Sequence, residues 1–218
     1  HRILTTGGRV MTDEQIMNKI GKNALKELIN RMNYGHAMGL DFIFTNPILN
    51  TPSAKSNRQT IINLAIDQAL EDGCNDNLLT GFDYRYKSNK NHSCYHIELS
   101  KNGYILTHSS RNKKSFPRKA LYREDLCTNQ LSLFTDEQTS EMKYGILMHA
   151  SNLEPGSVQK IGLGIPDSNC KTWSNFIELT NPYSLNRINN IIEQYPETDI
   201  EKFNFKLKDR MKKLQNNG

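Results

Sequence analysis

The sequence predicts an α+β domain with a mostly antiparallel sheet, a central β-hairpin over 95–109, and helices at its N- and C-terminal ends. Three observations predict it. Asn102-Gly103 supplies the two positive φ angles of a type I′ turn, and the runs on either side of it alternate as strands do. Apolar residues recur at helical spacing near both ends of the chain, while the middle holds short strand-like runs. Runs of helix, then strands, then helix belong to an α+β arrangement rather than to alternating βαβ units. No linker interrupts the pattern, so residues 11–218 read as a single domain, and 218 residues suffice for one ordinary core. Residues 1–10 precede Met11 and read as a tag or vector remnant.

Taken in order, Thr12-Asp-Glu-Gln15 is a capping box that opens a helix over about 13–33. Met17, Ile20, Ala24, Leu28 and Met32 form its apolar stripe, and the Gly35 and Gly39 region is expected to end it. Leu40 to Thr45 reads as a short strand closed by Asn46-Pro47, and the polar 46–55 as a loop. Ser56-Asn-Arg-Gln59 is expected to cap a second helix carried by Ile62, Ala65, Ile66, Ala69 and Leu70, with Gly73 past its end. Leu78 to Tyr86 reads as the strand before the hairpin.

In the hairpin, a two-residue loop fixes the register. Lys101 pairs with Tyr104, Leu99 with Leu106, Ile97 with His108 and Tyr95 with Ser110 on the apolar face that meets the core. Ser100–Ile105, Glu98–Thr107 and His96–Ser109 lie on the other, so Glu98 and His96 project together. Tyr144 to Ala150, Val158 to Ile165 and Trp173 to Leu179 are three further strands. Gly162 and Gly164 leave one face of the second bare, which suits close packing by backbone or a helix. Leu185 to Tyr195 and the segment after Thr198-Asp-Ile-Glu201 are the closing helices.

The hydrophobic fraction is 36%, mean hydropathy is −0.67, and apolar residues are spaced periodically nearly throughout, which argues against general disorder. A net charge of +5 permits an anionic partner without requiring one. Cys74, Cys94, Cys127 and Cys170 are scattered, with no C-x-x-C, so neither a disulfide framework nor a zinc ribbon is indicated and a reducing cytoplasm is the simpler compartment. No run is long enough for a membrane span.

Charge concentrates after the hairpin. Arg111 to Arg123 carries Arg111, Lys113, Lys114, Arg118, Lys119 and Arg123, no acidic residue, and interleaved Phe116 and Tyr122. Cations beside aromatics are what phosphate contact with base stacking requires. A basic loop at a sheet edge also serves solubility and discourages strand addition.

Beyond it lies Gln130-Leu-Ser-Leu-Phe134, in a polar stretch. It resembles the peptide by which many bacterial replication and repair proteins dock on the β sliding clamp, matching at all five positions. The resemblance implies that Gln130 bonds at a pocket rim while Leu131, Leu133 and Phe134 fill apolar pockets. Burial of the same three residues within the fold is the other reading of the peptide.

For nuclease chemistry, Asp83 and Glu98 are the two carboxylates that could share a Mg²⁺. Lys101, three residues after Glu98, points to the opposite sheet face, and Ser100 stands where a lysine two residues on would be needed. His92 and His96 lack the partners of a closed zinc site, and His108 falls on the apolar hairpin face as a core histidine. There is no G-x-S-x-G elbow, and Gly162-Leu-Gly164 is no phosphate loop, so neither a cofactor nor a metal is expected. The sequence therefore suggests a cytoplasmic, bacterial or phage-type DNA-associated binding protein using the basic loop, with a replication-type protein partner at 130–134. A metal-dependent nuclease, or an inhibitor or immunity module that meets an acidic protein, are the alternatives.

Overall fold

The computed structural model describes residues 12–88, 95–110, 116–132, 143–149, 160–180 and 206–209. The fold is α+β, with a helical layer packed on a six-stranded, mostly antiparallel sheet. Helix α1 (Asp13–Ile20) starts at the expected capping box: Gln15 N–H donates to Thr12 Oγ1 (3.3 Å) and Thr12 N–H to Gln15 Oε1 (3.0 Å). It breaks at Gly21, at φ +98°, and α2 (Lys22–Thr45) follows directly.

Two expectations fail in α2. Gly35 and Gly39 do not end the helix, and Leu40–Thr45 is its last two turns rather than a strand. Four residues apart, the glycines share a helix face, and α3 (Arg58–Asn75) crosses on it. A Cβ at Gly35 would lie 2.7 Å from the Ala65 carbonyl oxygen, and one at Gly39 3.1 Å from Ile62 Cα. Close approach is what these glycines provide. Nor does a box at Ser56 to Gln59 open α3: two 3₁₀ turns (Pro47–Asn50 and Pro52–Asn57) run straight into it, and Asn57 makes no side-chain cap bond. Gly73 lies within the helix, packed against Arg31 and Leu79.

The strands are β1 (Asp83–Ser88), β2 (Tyr95–Lys101), β3 (Tyr104–Ser110), β4 (Lys143–His149), β5 (Ile161–Pro166) and β6 (Trp173–Glu178), in that spatial order. The hairpin forms as expected, with Asn102 at φ +49° and Gly103 at +79°, and Lys101–Tyr104, Leu99–Leu106 and Ser100–Ile105 in register. All neighbours are antiparallel except β3 and β4, which run parallel because α4 (Leu121–Ser132) makes the crossover. The expected strand from Leu78 begins only at Asp83; Leu79 is instead a buried plug, its N–H bonded to the Gly73 carbonyl (2.8 Å).

One sheet face meets α1–α3 through Ile97, Leu99, Leu106, Leu147 and Leu163, forming the main core. A second, smaller core lies on the other face, where Ile105, Tyr144, Ile146 and Met148 meet Leu126 and Cys127 of α4. There the bare side of β5 is covered by rings of the next strand, Phe176 over Gly162 and Trp173 over Gly164, rather than by a helix, with the Ile177 carbonyl oxygen also 3.2 Å from where a Gly162 Cβ would lie. Of the closing helices, 206–209 is described: Leu207 is buried in the main core and Lys206 Nζ reaches Asp72 at 2.6 Å. The helix expected over 185–195 lies outside the described residues.

Candidate functional site

The register of β1 on β2 decides which side chains share the α4 side of the sheet. Asp83 stands opposite Ser100, Arg85 opposite Glu98 and Lys87 opposite His96. Alternation then sends Tyr84 and Tyr86 toward the main core, and Asp83, Arg85 and Lys87 outward beside Glu98 and His96. Strand β1 is the edge of the sheet, so these residues border a row of backbone groups that no described strand pairs.

Glu98 is the centre of the arrangement. Its carboxylate is 2% exposed and accepts from Arg85 Nε at 2.9 Å, with Lys87 Nζ at 3.5 Å and His96 Nε2 at 3.3 Å. Burial by itself would push the carboxyl up; the bonds from His96 and Arg85 and the Lys87 charge outweigh it and hold Glu98 below the ordinary range. Its cations keep their outer surfaces in water, Arg85 at 55% and Lys87 at 46% exposed. At this carboxylate two positive charges share one negative one, and both cations stand at the surface with the exposed Asp83 two residues before Arg85 on the same face.

Helix α4 completes it. Tyr122 stacks on the His96 ring, centroids 3.7 Å apart and planes 20° from parallel. The Arg123 guanidinium lies 5.0 Å over the Tyr122 ring. Arg118 and Lys119, just before the helix, are exposed, and Lys119 Nζ pairs with Glu124 at 3.0 Å.

Of the expected basic residues, Arg118 and Lys119 thus stand at the surface, while Arg111, Lys113 and Lys114 lie outside the described residues. Arg123 is placed otherwise than expected: it is buried, and its Nη1 and Nη2 donate to the Arg118 carbonyl (2.7 Å) and Ser109 Oγ (3.2 Å). It ties the basic segment to β3 rather than offering its charge to a ligand. Arg85 and Lys87 were missed from sequence, although D-Y-R-Y-K alternates aromatic and charge as a half-buried edge strand does.

Asp83 and Glu98 do share a face, but Arg85, not Asp83, is opposite Glu98, and cations already occupy the Glu98 carboxylate. Lys101 points away, its Nζ bonded to the Thr80 carbonyl at 2.6 Å. Among the described residues no three His, Cys, Asp or Glu side chains are grouped to hold a metal ion. Gln130 and Leu131 lie in the last turn of α4, which continues to Ser132, where a polar loop was expected; Leu133 and Phe134 lie outside the described residues.

A second polar group is enclosed on the other sheet face. His108 Nε2 is 2.6 Å from Asp67 Oδ1 of α3, and its Nδ1 is 3.2 Å from His149 Nε2 on β4. Burial, then the neighbouring His108 and His36, holds the His149 imidazole well below its ordinary range. His149 Nε2, His108 and the Asp67 carboxylate thus form one chain of buried polar contacts running from β4 through β3 to α3. His149 Nδ1 is left without a hydrogen-bond partner among the described residues. This is a bonded core histidine pair under the helices, as expected for His108.

No protein-family model, curated protein or solved structure matches the chain.

Proposed function

We propose that this protein binds nucleic acid, and that the β1–β2 corner with the segment leading into α4 is the contact surface. The observation that carries the reading is the pair Arg85 and Lys87, anchored on one side by buried Glu98 and exposed on the other. Anchoring restricts both side chains before any ligand arrives, which lowers the ordering cost of a phosphate contact. Arg118 and Lys119 add two further exposed cations just before α4, and the His96–Tyr122 stack fixes the start of α4 against β2. Metal-dependent cleavage through Asp83 and Glu98 is the less supported reading, since it requires Glu98 to exchange two cations for a third. Clamp docking through Gln130 to Phe134 requires the last turn of α4 to unwind into an extended peptide.

The test is fluorescence anisotropy with labelled single- and double-stranded DNA across a salt series, with and without Mg²⁺. The parent should bind at low salt. Arg85→Gln with Lys87→Gln should weaken binding and flatten the salt slope by about 1 for each phosphate that is no longer neutralised. No binding by the parent at low salt would sink the proposal. DNA shortened only when Mg²⁺ is present would move the assignment to the nuclease.

A further inference from the structure

The smaller core holds a feature that nucleic-acid binding does not use. Cys127, 1% exposed on α4, and Cys170, half-buried in the turn between β5 and β6, both pack into it, and Cys170 Sγ lies 3.5 Å from the carbonyl oxygen of Arg123, one helical turn before Cys127. They are 43 residues apart in sequence, so the fold, not a local motif, brings them together.

Local structure holds Cys170 in place. Asp167 accepts from the backbone N–H of Lys171 (2.9 Å) and Thr172 (3.2 Å) at Oδ1 and from the Thr172 hydroxyl (3.0 Å) at Oδ2. The Cys170 N–H itself donates to the Asp167 carbonyl at 3.0 Å. This closed turn keeps Cys170 at φ +53°, a conformation a non-glycine residue rarely adopts, with its side chain turned onto α4. In the thiol form Cys170 Sγ donates to the Arg123 carbonyl, which holds the sulfur against α4.

We propose that Cys127 and Cys170 form a reversible disulfide that clasps α4 to the β5–β6 turn, with Cys170 as the attacking sulfur and Cys127 as the resolving one. The oxidant is a low-molecular-weight disulfide of the glutathione class. Cys170 thiolate attacks one of its sulfurs, forming a mixed disulfide and releasing one glutathione thiolate, which takes up the proton that Cys170 gave up. Cys127 then loses its proton as its sulfur attacks Cys170, and the second glutathione leaves as a thiol. Two protein thiols are oxidised by two electrons and one glutathione disulfide is reduced to two thiols. The division of roles follows the surroundings. Cys127 is enclosed, whereas Cys170 is only half-buried and can meet a dissolved disulfide, and the adjacent Cys127 thiol with the nearby Arg123 charge draws the Cys170 thiol down. Cys127, beside Cys170 and buried, is pushed up. Cys74 provides an internal comparison, since burial, with Asp83 and Glu71 nearby, pushes its thiol up to about 11.

The experiment treats the full reduced chain with oxidised glutathione at neutral pH and follows each cysteine by peptide mass mapping. A peptide pair joining Cys127 to Cys170 should form and should vanish on adding dithiothreitol. In short alkylation pulses on the reduced protein, Cys170 should label roughly tenfold or more faster than Cys74, from its larger thiolate fraction offset by weaker nucleophilicity. Cys127→Ser should trap a glutathione adduct at Cys170, and Cys170→Ser should leave Cys127 unmodified. Circular dichroism of each variant separates loss of the thiol from loss of the fold. The proposal is overturned if the parent, oxidised while folded, gives glutathione adducts or other pairings without the Cys127–Cys170 pair. Equal labelling of Cys170 and Cys74 would overturn the assignment of roles.

Discussion

At the scale of single residues, Glu98 and His149 are buried ionisable groups whose surroundings set a pH response on the acid side, and they act in different windows. The folded His149 imidazole is held below its ordinary value by burial first and by His108 and His36 next. The unfolded chain therefore takes up this proton first, so stability should be full above about pH 6.5 and fall as the pH drops below it. Glu98 is also held low in the folded state, since the bonds from His96 and Arg85 outweigh its burial. Its contribution is present above its unfolded value of about 4.3 and is lost only as the pH falls through its lower folded value. Urea unfolding between about pH 8 and 3 should show both declines. His149→Leu should flatten the upper one and Glu98→Gln the lower. An unchanged upper decline in folded His149→Leu would show that another group titrates there. The Glu98–His96 pairing was legible in the sequence because the hairpin turn fixes which residues share a face. Their cation partners were not, because nothing local sets the register of β1 against β2.

At the scale of elements, glycine has two unlike uses in this chain, and only one of them was legible. Gly103 sits at φ +79° in a two-residue turn, where the flanking alternation reveals its purpose. Gly103→Val should cost about 1–3 kcal/mol by forcing a β-branched residue into that conformation. Gly35 and Gly39 lie in ordinary helical backbone, and their purpose depends on α3, which sequence alone does not place. A glycine pair near a short apolar run, Leu40 to Thr45, therefore read as a helix end followed by a strand, although spacing by four was the available signal. Gly35→Ala should destabilise by about 1–3 kcal/mol or more, because its Cβ meets backbone atoms of α3 that cannot rotate away. Gly39→Ala should cost less, since its nearest neighbours begin at 3.1 Å. Chemical denaturation of the two variants checks the order; equal stability of Gly35→Ala and the parent would mean that the helices can separate freely.

For the whole molecule, the parallel β3–β4 step matters most. It requires a crossover, and α4 as that crossover covers the sheet face that sequence alternation marked as the less apolar one. The α+β class with an antiparallel majority was legible from periodicity; the two-sided core was not, because Glu98, Thr107 and Tyr144 do not announce burial. Glu98 is buried among cations, and the Tyr144 hydroxyl meets Thr107 Oγ1 at 2.8 Å, so polar residues line a face that is nevertheless enclosed. This layering puts the β1–β2 corner and the helical layer on opposite sides of the sheet. If net charge alone attracted nucleic acid, removing any two surface lysines would weaken binding equally. If the β1–β2 corner is the contact surface, Lys87→Gln with Lys119→Gln should weaken binding and reduce the salt slope by about 2, one for each phosphate the two lysines neutralise. Lys26→Gln with Lys55→Gln, exposed positions in the helical layer, should leave the slope unchanged for the same change in charge. Equal effects from the two pairs, in variants that melt like the parent, would reduce the interaction to a diffuse charge effect and leave the corner without a special role.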